Sequence, residues 1–169
     1  VSIAPQGIAS GWGWHSLNIP DSDNTDVDYI ASLIDHAQSE YNISSDKVFV
    51  LGYSAGGFMN YRLACTMPER LSAIVSLAGQ FRGQFEQCPT ATPLNVHHLH
   101  NISDAEVPYD GRDQGSIMSV DDTIALWAGK NGCDGTTTFE VQEGITPTSS
   151  KTTTKNYENC TNSVKLSLL

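Results

Sequence analysis

The chain has 169 residues, of which 39% are hydrophobic and 17% charged, a balance typical of one globular domain over 1–169. Its formal net charge of −10 would repel nucleic acid and anionic membranes, so neither is an expected partner. The sequence contains no run of about 18 apolar residues, the length that a membrane-spanning helix needs. It opens on Val1 rather than Met, so we expect residues upstream to have been removed or left out; no oligomeric state is predicted.

The first element predicted along the chain is a helix that follows a long loop. Residues 1–24 are rich in Gly, Ser, Trp and Pro and show no periodicity, which indicates a loop. From residue 26 to 41 apolar side chains recur at helical spacing, and Thr25 can cap the helix that this spacing predicts.

Two strands with a helix between them are predicted next. The apolar and β-branched run over 47–52 is typical of a strand that is buried on both faces. A helix is predicted over 56–67 and ends at Pro68, because proline cannot continue it. The apolar run over 71–79 predicts a second buried strand.

The C-terminal half predicts two more strands, over 92–101 and 163–169, and a helix over 119–131. Ser119 and Asp122 form a capping box at the start of that helix. Residues 135–156 are rich in Thr and Ser and indicate a surface loop, with one short strand around 139–141. Strands that alternate with helices predict the α/β class, with a mostly parallel sheet and helices on both of its faces.

The cysteines predict disulfides and an oxidising compartment. There are four of them, Cys65, Cys88, Cys133 and Cys160, none in a CxxC pair or at zinc-ligand spacing. An even count fits two disulfides and secretion, and four buried free thiols are the alternative. Four cysteines allow three pairings, of which we favour Cys65–Cys88 with Cys133–Cys160. Three N-x-S/T sequons, at Asn42, Asn101 and Asn159, are typical of a secreted glycoprotein.

The segment Gly52-Tyr53-Ser54-Ala55-Gly56 is a G-x-S-x-G motif between a predicted strand and a predicted helix. In that setting Ser54 is a candidate nucleophile, held up by a turn so tight that Gly52 and Gly56 must lack side chains. The helix that follows directs its N-terminal N–H groups at a developing oxyanion, and the Ala55 N–H is the first donor. Gly57 is expected to let this helix pack closely on the sheet. The alternative is a glycine-rich turn with an incidental serine.

A serine nucleophile needs a base, and the base needs a carboxylate that orients it. In this architecture the acid follows the serine along the chain. Asp104 comes just after the predicted strand over 92–101, where such an acid belongs. Glu106 and Asp110 lie nearby and are expected to be solvated loop charges.

Three longer segments extend the pattern beyond the pentapeptide. They are the helix, turn and strand over 27–79, "HNISDAEVPYDG" over 100–111, and "WAGKNGC" with the later "YENC". Together they resemble the secreted esterases of the polyhydroxybutyrate depolymerase and feruloyl esterase type, in the α/β-hydrolase superfamily. The resemblance implies that Ser54 is the nucleophile, Asp104 the acid and Cys133–Cys160 a bridge. It also implies hydrolysis of a polyester, a feruloylated polysaccharide or a small acyl ester, with no metal or organic cofactor.

The chain departs from that family in two respects. Asn101 follows His100 where the family has glycine, and a pair of adjacent upstream cysteines is missing. The family's His-Gly oxyanion loop would lie before Val1, and its catalytic histidine soon after Leu169. We therefore expect a central fragment of a longer enzyme, with little turnover of its own.

The five histidines of the chain do not fit the base. His97, His98 and His100 precede the acid, which is the wrong chain order. We expect them at core or strand-end positions; a metal site on His98 and His100 is the alternative. His36 is expected on the exposed side of a helix and His15 as a loop anchor.

Aromatic residues near these segments are candidates for substrate binding. They are Tyr53, Tyr109 and Trp14. Packing is the default interpretation for Tyr109 and for Trp127. Two further interpretations of the whole chain stay open, a catalytically inactive α/β-hydrolase that binds or has a structural role, and a serine peptidase or acyltransferase of the same fold.

Overall fold

Three α-helices and six strands follow one another in the computed structural model, which describes residues 1–7, 25–88, 92–144 and 151–169. The helices are α1 Thr25–Tyr41, α2 Ala55–Thr66 and α3 Val120–Lys130. The strands are β1 Phe49–Tyr53, β2 Ala73–Leu77, β3 Asn95–His100, β4 Thr137–Gln142, β5 Thr152–Tyr157 and β6 Val164–Leu168. Two short 3₁₀ turns lie at Pro68–Arg70 and Phe85–Gln87.

The six strands form one sheet in the order β1-β2-β3-β6-β5-β4. Strands β1, β2, β3 and β6 are parallel to one another, and β5 and β4 add antiparallel partners at the far side. The predicted class, a mostly parallel α/β sheet, is confirmed. Because parallel strands end at the same edge, the segments after β1, β2, β3 and β6 all begin there.

The described helices pack against one face of the sheet, here called the core face, so the prediction of helices on both faces is not met within the described residues. Helix α2 lies on β1 and β2, α3 lies on β3 and β6, and α1 contacts α2. On the opposite face, here called the open face, Phe49, Leu51 and Tyr53 of β1 are 70%, 80% and 68% exposed. The prediction that this strand is buried on both faces is therefore wrong. Strand β1 is the edge of the described sheet, and none of the described helices covers its open face.

Close packing on the core face depends on small residues and on one aromatic cluster. A Cβ added at Gly57 of α2 would come within 2.6 Å of the Ser76 hydroxyl on β2, so this glycine lets the helix approach the sheet, as predicted. Tyr61 of α2 packs against Trp127 of α3, with ring centroids 6.0 Å apart, and against His98 of β3 at 5.9 Å. These three side chains are fully buried and join the two helices to the sheet.

The predicted end of α2 and the predicted start of α3 are confirmed by their local structure. Helix α2 ends at Thr66, and Pro68 begins the next short turn. At the start of α3 the Ser119 hydroxyl accepts a hydrogen bond from the Asp122 N–H at 3.0 Å. Gly132 after α3 adopts φ +65°, a conformation that glycine accepts without strain.

The region 135–156 contains more regular structure than its composition suggested. Strand β4 pairs with β5 in antiparallel register, Thr137 opposite Tyr157 and Gln142 opposite Thr152. The interpretation as a surface loop with one short strand is therefore wrong, since β5 was missed. Threonine is common in loops, but it is also β-branched and is favoured in a strand that has a partner on each side.

The two disulfides have the predicted pairing, Cys65–Cys88 and Cys133–Cys160. The first ties α2 to the segment after β2, and the second joins the end of α3 to the loop between β5 and β6. None of the helices in the described ranges is long and apolar enough to cross a membrane.

Acidification is expected to destabilise the fold through His98. Burial, the largest cause, together with the nearby His100 and His97, lowers the pKa of His98 from 6.5 to about 3. Between these two pH values the unfolded chain holds a proton at this site that the folded protein does not. Stability contributed at this site is thus complete above pH 6.5 and is lost as the pH falls towards 3. From pH 7 to 5 the loss should be about 2 kcal/mol in the free energy of unfolding.

Urea unfolding of the oxidised protein at pH 7 and pH 5 measures this loss. In His98→Gln the difference between the two pH values should shrink by about 2 kcal/mol, whatever the absolute stability of the variant. If this difference is as large in His98→Gln as in the parent protein, groups other than His98 dominate the pH dependence of stability.

Candidate active site

Ser54 lies at the turn between β1 and α2 in a backbone conformation that serine rarely adopts. Its φ is 53° and its ψ is −114°. The Ser54 N–H donates to the Leu77 carbonyl of β2 at 2.8 Å, and the Ser54 carbonyl accepts from the Phe58 N–H of α2 at 3.1 Å. A non-glycine residue in such a region costs roughly 1–3 kcal/mol and persists only where its surroundings impose it.

The glycines around this turn are not equivalent. A Cβ at Gly52 would overlap the Gly56 carbonyl, so Gly52 must be glycine, as predicted. A Cβ at Gly56 would meet nothing within 4 Å, so the prediction that Gly56 must lack a side chain is wrong. The turn needs a different second glycine, Gly79 after β2, where a Cβ would overlap the Ser54 carbonyl. This requirement comes from a neighbouring strand, which a local motif does not include.

Helix α2 begins with the residue after Ser54 and brings its N-terminus to this turn. The first N–H groups of a helix have no acceptor within the helix, and they carry its positive end. The Ala55 N–H is the first of them. A negative oxygen formed beside Ser54 would lie next to this donor.

Asp104 lies in a turn after β3, defined here as the acid turn, residues 101–109. Its Oδ1 accepts hydrogen bonds from the N–H groups of Glu106 and Val107, both at 2.9 Å. Its own N–H donates to the Asn101 carbonyl at 3.0 Å. Oδ2 has no hydrogen-bond partner among the described residues. One carboxylate oxygen thus fixes the turn, and the other can accept a further donor.

Two buried side chains hold successive carbonyls of the acid turn. Nε2 of His100 lies 2.9 Å from the Val107 carbonyl, and Nε2 of Gln80 donates to the Pro108 carbonyl at 2.9 Å. Both side chains are fully buried. The sequence did not single out Gln80, and its only signal was a polar residue directly after an apolar strand.

The sheet brings Ser54 and Asp104 to the same edge. They follow β1 and β3, which are parallel and flank β2. The strands β1 and β3 themselves are two strand spacings, about 10 Å, apart. Both side chains are half-buried, whereas the competing carboxylates Glu106 and Asp110 are exposed.

None of the described histidines forms a hydrogen bond with Ser54 or with the Asp104 side chain. His98 and His100 are fully buried on the core face, and His36 is exposed on α1, as predicted. His97 faces the opposite way, with Nε2 2.8 Å from the Ser167 hydroxyl. His15 lies outside the described residues. No cluster of three His, Cys, Asp or Glu side chains suited to a metal ion occurs within the described ranges.

Two of the three candidate substrate-binding aromatics, Tyr53 and Tyr109, are described by the structure, and they lie in different surroundings. Tyr53 projects from the open face of the sheet. The Tyr109 hydroxyl donates to Asp121 at 2.8 Å, and burial followed by this bond raises the pKa of Tyr109. Its ring packs edge-on against His100, which supports the packing interpretation. Trp14 lies outside the described residues.

Comparison with known proteins finds that the chain is similar to proteins named as esterases. A family model described as phospholipase/carboxylesterase matches residues 12–120. Probable feruloyl esterase C of Aspergillus niger is 26% identical over 145 residues, which cover 85% of this chain and 47% of that protein. Feruloyl esterase C of Emericella nidulans is 27% identical over 112 residues, 66% of this chain and 38% of that protein. The chain thus spans about half the length of these relatives or less.

A solved structure agrees on the fold. The acetyl xylan esterase from Aspergillus awamori superimposes with a TM-score of 0.57 at 19% identity, over 92% of this chain and 64% of that one. The predicted resemblance to feruloyl esterases is confirmed by the sequence matches, and the α/β-hydrolase fold by the structural one. By its strand–turn–helix architecture and by the family model that covers most of its length, this chain belongs to the phospholipase/carboxylesterase family of α/β-hydrolases.

Proposed function

We propose that the protein is a serine esterase that cleaves carboxylic esters through a Ser-His-Asp triad, with Ser54 as nucleophile and Asp104 as acid. The observation that carries the proposal is the Ser54 backbone, with φ 53° and ψ −114° at a strand–helix turn. Strain of this kind is typical of functional turns. A G-x-S-x-G turn in this position exposes the serine hydroxyl beyond the strands.

The chemistry follows from the groups around that turn. The Ser54 oxygen would attack the ester carbonyl carbon while an imidazole takes its proton. The Ala55 N–H and the positive end of α2 would stabilise the oxyanion. Collapse of this intermediate expels the alcohol with the proton and leaves an acyl-enzyme. Water, activated by the same imidazole, then releases the acid and restores the Ser54 hydroxyl.

The imidazole would come from outside residues 1–169. Strand β6 lies parallel and next to β3, and the Leu169 N–H donates to the His100 carbonyl at 3.0 Å. A residue that follows Leu169 would therefore emerge at the edge where Asp104 lies. Its ring could donate to Asp104 Oδ2 and accept from Ser54 Oγ.

A polypeptide of residues 1–169 alone is accordingly expected to hydrolyse p-nitrophenyl acetate at no more than a small fraction of the rate of a longer form with that histidine. Loss of a triad member leaves about 10³–10⁴-fold catalysis over water, from binding and oxyanion contacts. Progress curves for both forms at equal concentration make the comparison. Equal rates would place the base among the histidines of this chain.

The natural substrate and the location are also part of the proposal. Relatives with feruloyl esterase and acetyl xylan esterase in their names make feruloyl and acetyl esters of polysaccharides the first candidates, ahead of polyesters. Two disulfides support secretion into an oxidising compartment.

The proposal is tested by covalent labelling. An alkyl fluorophosphonate should modify a single serine, and peptide mass spectrometry should locate it at Ser54. A parallel assay would compare p-nitrophenyl acetate, methyl ferulate and acetylated xylan. Labelling elsewhere, or ester hydrolysis that survives full labelling of Ser54, would reject the proposed nucleophile. If the longer form shows no labelling and no hydrolysis, the result would favour an inactive α/β-hydrolase.

A further inference from the structure

A chain of hydrogen bonds runs through the core from α2 to the acid turn. The Tyr61 hydroxyl lies 2.9 Å from His98 Nδ1. His98 Nε2 lies 3.1 Å from His100 Nδ1, and the two rings are nearly parallel, at 10°. His100 Nε2 lies 2.9 Å from the Val107 carbonyl. The three side chains are fully buried.

The last acceptor fixes the direction of every bond in this chain. A carbonyl oxygen can only accept, so His100 must carry its proton on Nε2. In a neutral imidazole Nδ1 is then an acceptor, so His98 must donate from Nε2. His98 Nδ1 is in turn an acceptor, and the Tyr61 hydroxyl is its donor. In their neutral forms both histidines are thereby Nε2–H tautomers.

At its His100 end, this series of hydrogen bonds is linked to the Asp104 carboxylate through one residue, Val107. The Val107 carbonyl is held by His100, and the N–H of the same residue donates to Asp104 Oδ1 at 2.9 Å. Val107 is itself buried. A shift of Val107 would therefore move the Asp104 carboxylate.

We propose that His100 is a positioning residue for the esterase reaction: its Nε2–H, set by His98 and Tyr61, holds Val107 and so places the Asp104 carboxylate. This inference rests on the proposed function, in which Asp104 orients the catalytic imidazole. His100 touches neither substrate nor nucleophile; it acts through the acid turn. Gln80 holds the next carbonyl, that of Pro108, from the adjacent strand end.

A pair of substitutions distinguishes the roles of the two ring nitrogens of His100. The amide nitrogen of glutamine can occupy the place of Nε2 and donate to Val107, whereas asparagine is too short and reaches only the place of Nδ1. In the form that contains the complete triad, His100→Asn should lower kcat by about 10–100-fold with little change in KM, because a small misplacement of a catalytic group has an effect of this size. His100→Gln should retain kcat within about threefold, since the donor is kept.

The matched control is His97, which lies three residues before His100 on the opposite face of β3. Its Nε2 contacts Ser167 and does not reach the acid turn. His97→Asn should leave kcat unchanged, which separates the effect on the turn from a general effect of asparagine in this strand. Equal kcat values for His100→Asn and His100→Gln would overturn the proposal.

A second measurement does not depend on activity. Long-range ¹H–¹⁵N imidazole spectra should show both His98 and His100 as Nε2–H tautomers, and Tyr61→Phe should perturb the His98 Nδ1 signal. An Nδ1–H tautomer at either histidine would overturn the inference. If Ser54→Ala and Asp104→Asn abolish activity while the two His100 variants behave alike, the esterase proposal stands and the positioning role fails. If Ser54→Ala remains active, the proposed function itself fails, and the spectra still test the hydrogen-bonded chain.

Discussion

Replacing Ser54 by alanine is expected to reduce kcat for ester hydrolysis by about 10⁴-fold or more in the form that contains the complete triad. The reason is that no covalent intermediate can form without the hydroxyl, so only binding and oxyanion contacts remain. KM should change little, because alanine keeps the β-carbon and so preserves the shape of the turn.

The fold should tolerate this substitution. Alanine in the strained Ser54 conformation, φ 53°, meets much the same restriction as serine does. Urea unfolding should therefore give a free energy close to that of the parent. Activity that persists in a folded Ser54→Ala protein would remove Ser54 from the mechanism, and loss of activity with loss of fold would call for Ser54→Cys as the next variant.

Replacing Gly52 by alanine is expected to destroy the turn that presents Ser54. The added methyl group would overlap the backbone carbonyl of Gly56. Backbone in the first turn of α2 cannot rotate away as a flexible side chain could. The free energy of unfolding should fall by about 3 kcal/mol or more, and ester hydrolysis should be lost with the geometry of the turn.

Gly56→Ala is the matched control, since the same substitution is made four residues later in the same motif. A methyl group at Gly56 meets nothing within 4 Å. Alanine is also favoured over glycine in a helix by about 1 kcal/mol, so this variant should be at least as stable as the parent. Circular dichroism melts of the two variants make the comparison. Similar destabilisation in both would contradict the difference in packing described for this turn.

The sequence predicted the elements of this protein well, and it predicted contacts between them poorly. Helices α1, α2 and α3 and strands β1, β2, β3 and β6 lie where periodicity, β-branched runs and capping residues placed them. These signals act within a few residues, so a single sequence contains them. Strand β5 was missed because its threonines form a strand only when β4 and β6 lie beside them.

The same distinction, between local features and contacts across the fold, applies to the candidate site. By itself the sequence determined a serine between a strand and a helix and an acid after a later strand, because each motif is local. Only the tertiary structure decided that Gly79 rather than Gly56 gives Ser54 its room, that Gln80 and His100 hold the acid turn, and that β1 leaves one face exposed. Each of these depends on which strands are neighbours in the sheet. That order follows from the packing of residues far apart along the chain, a property that no short stretch of sequence contains.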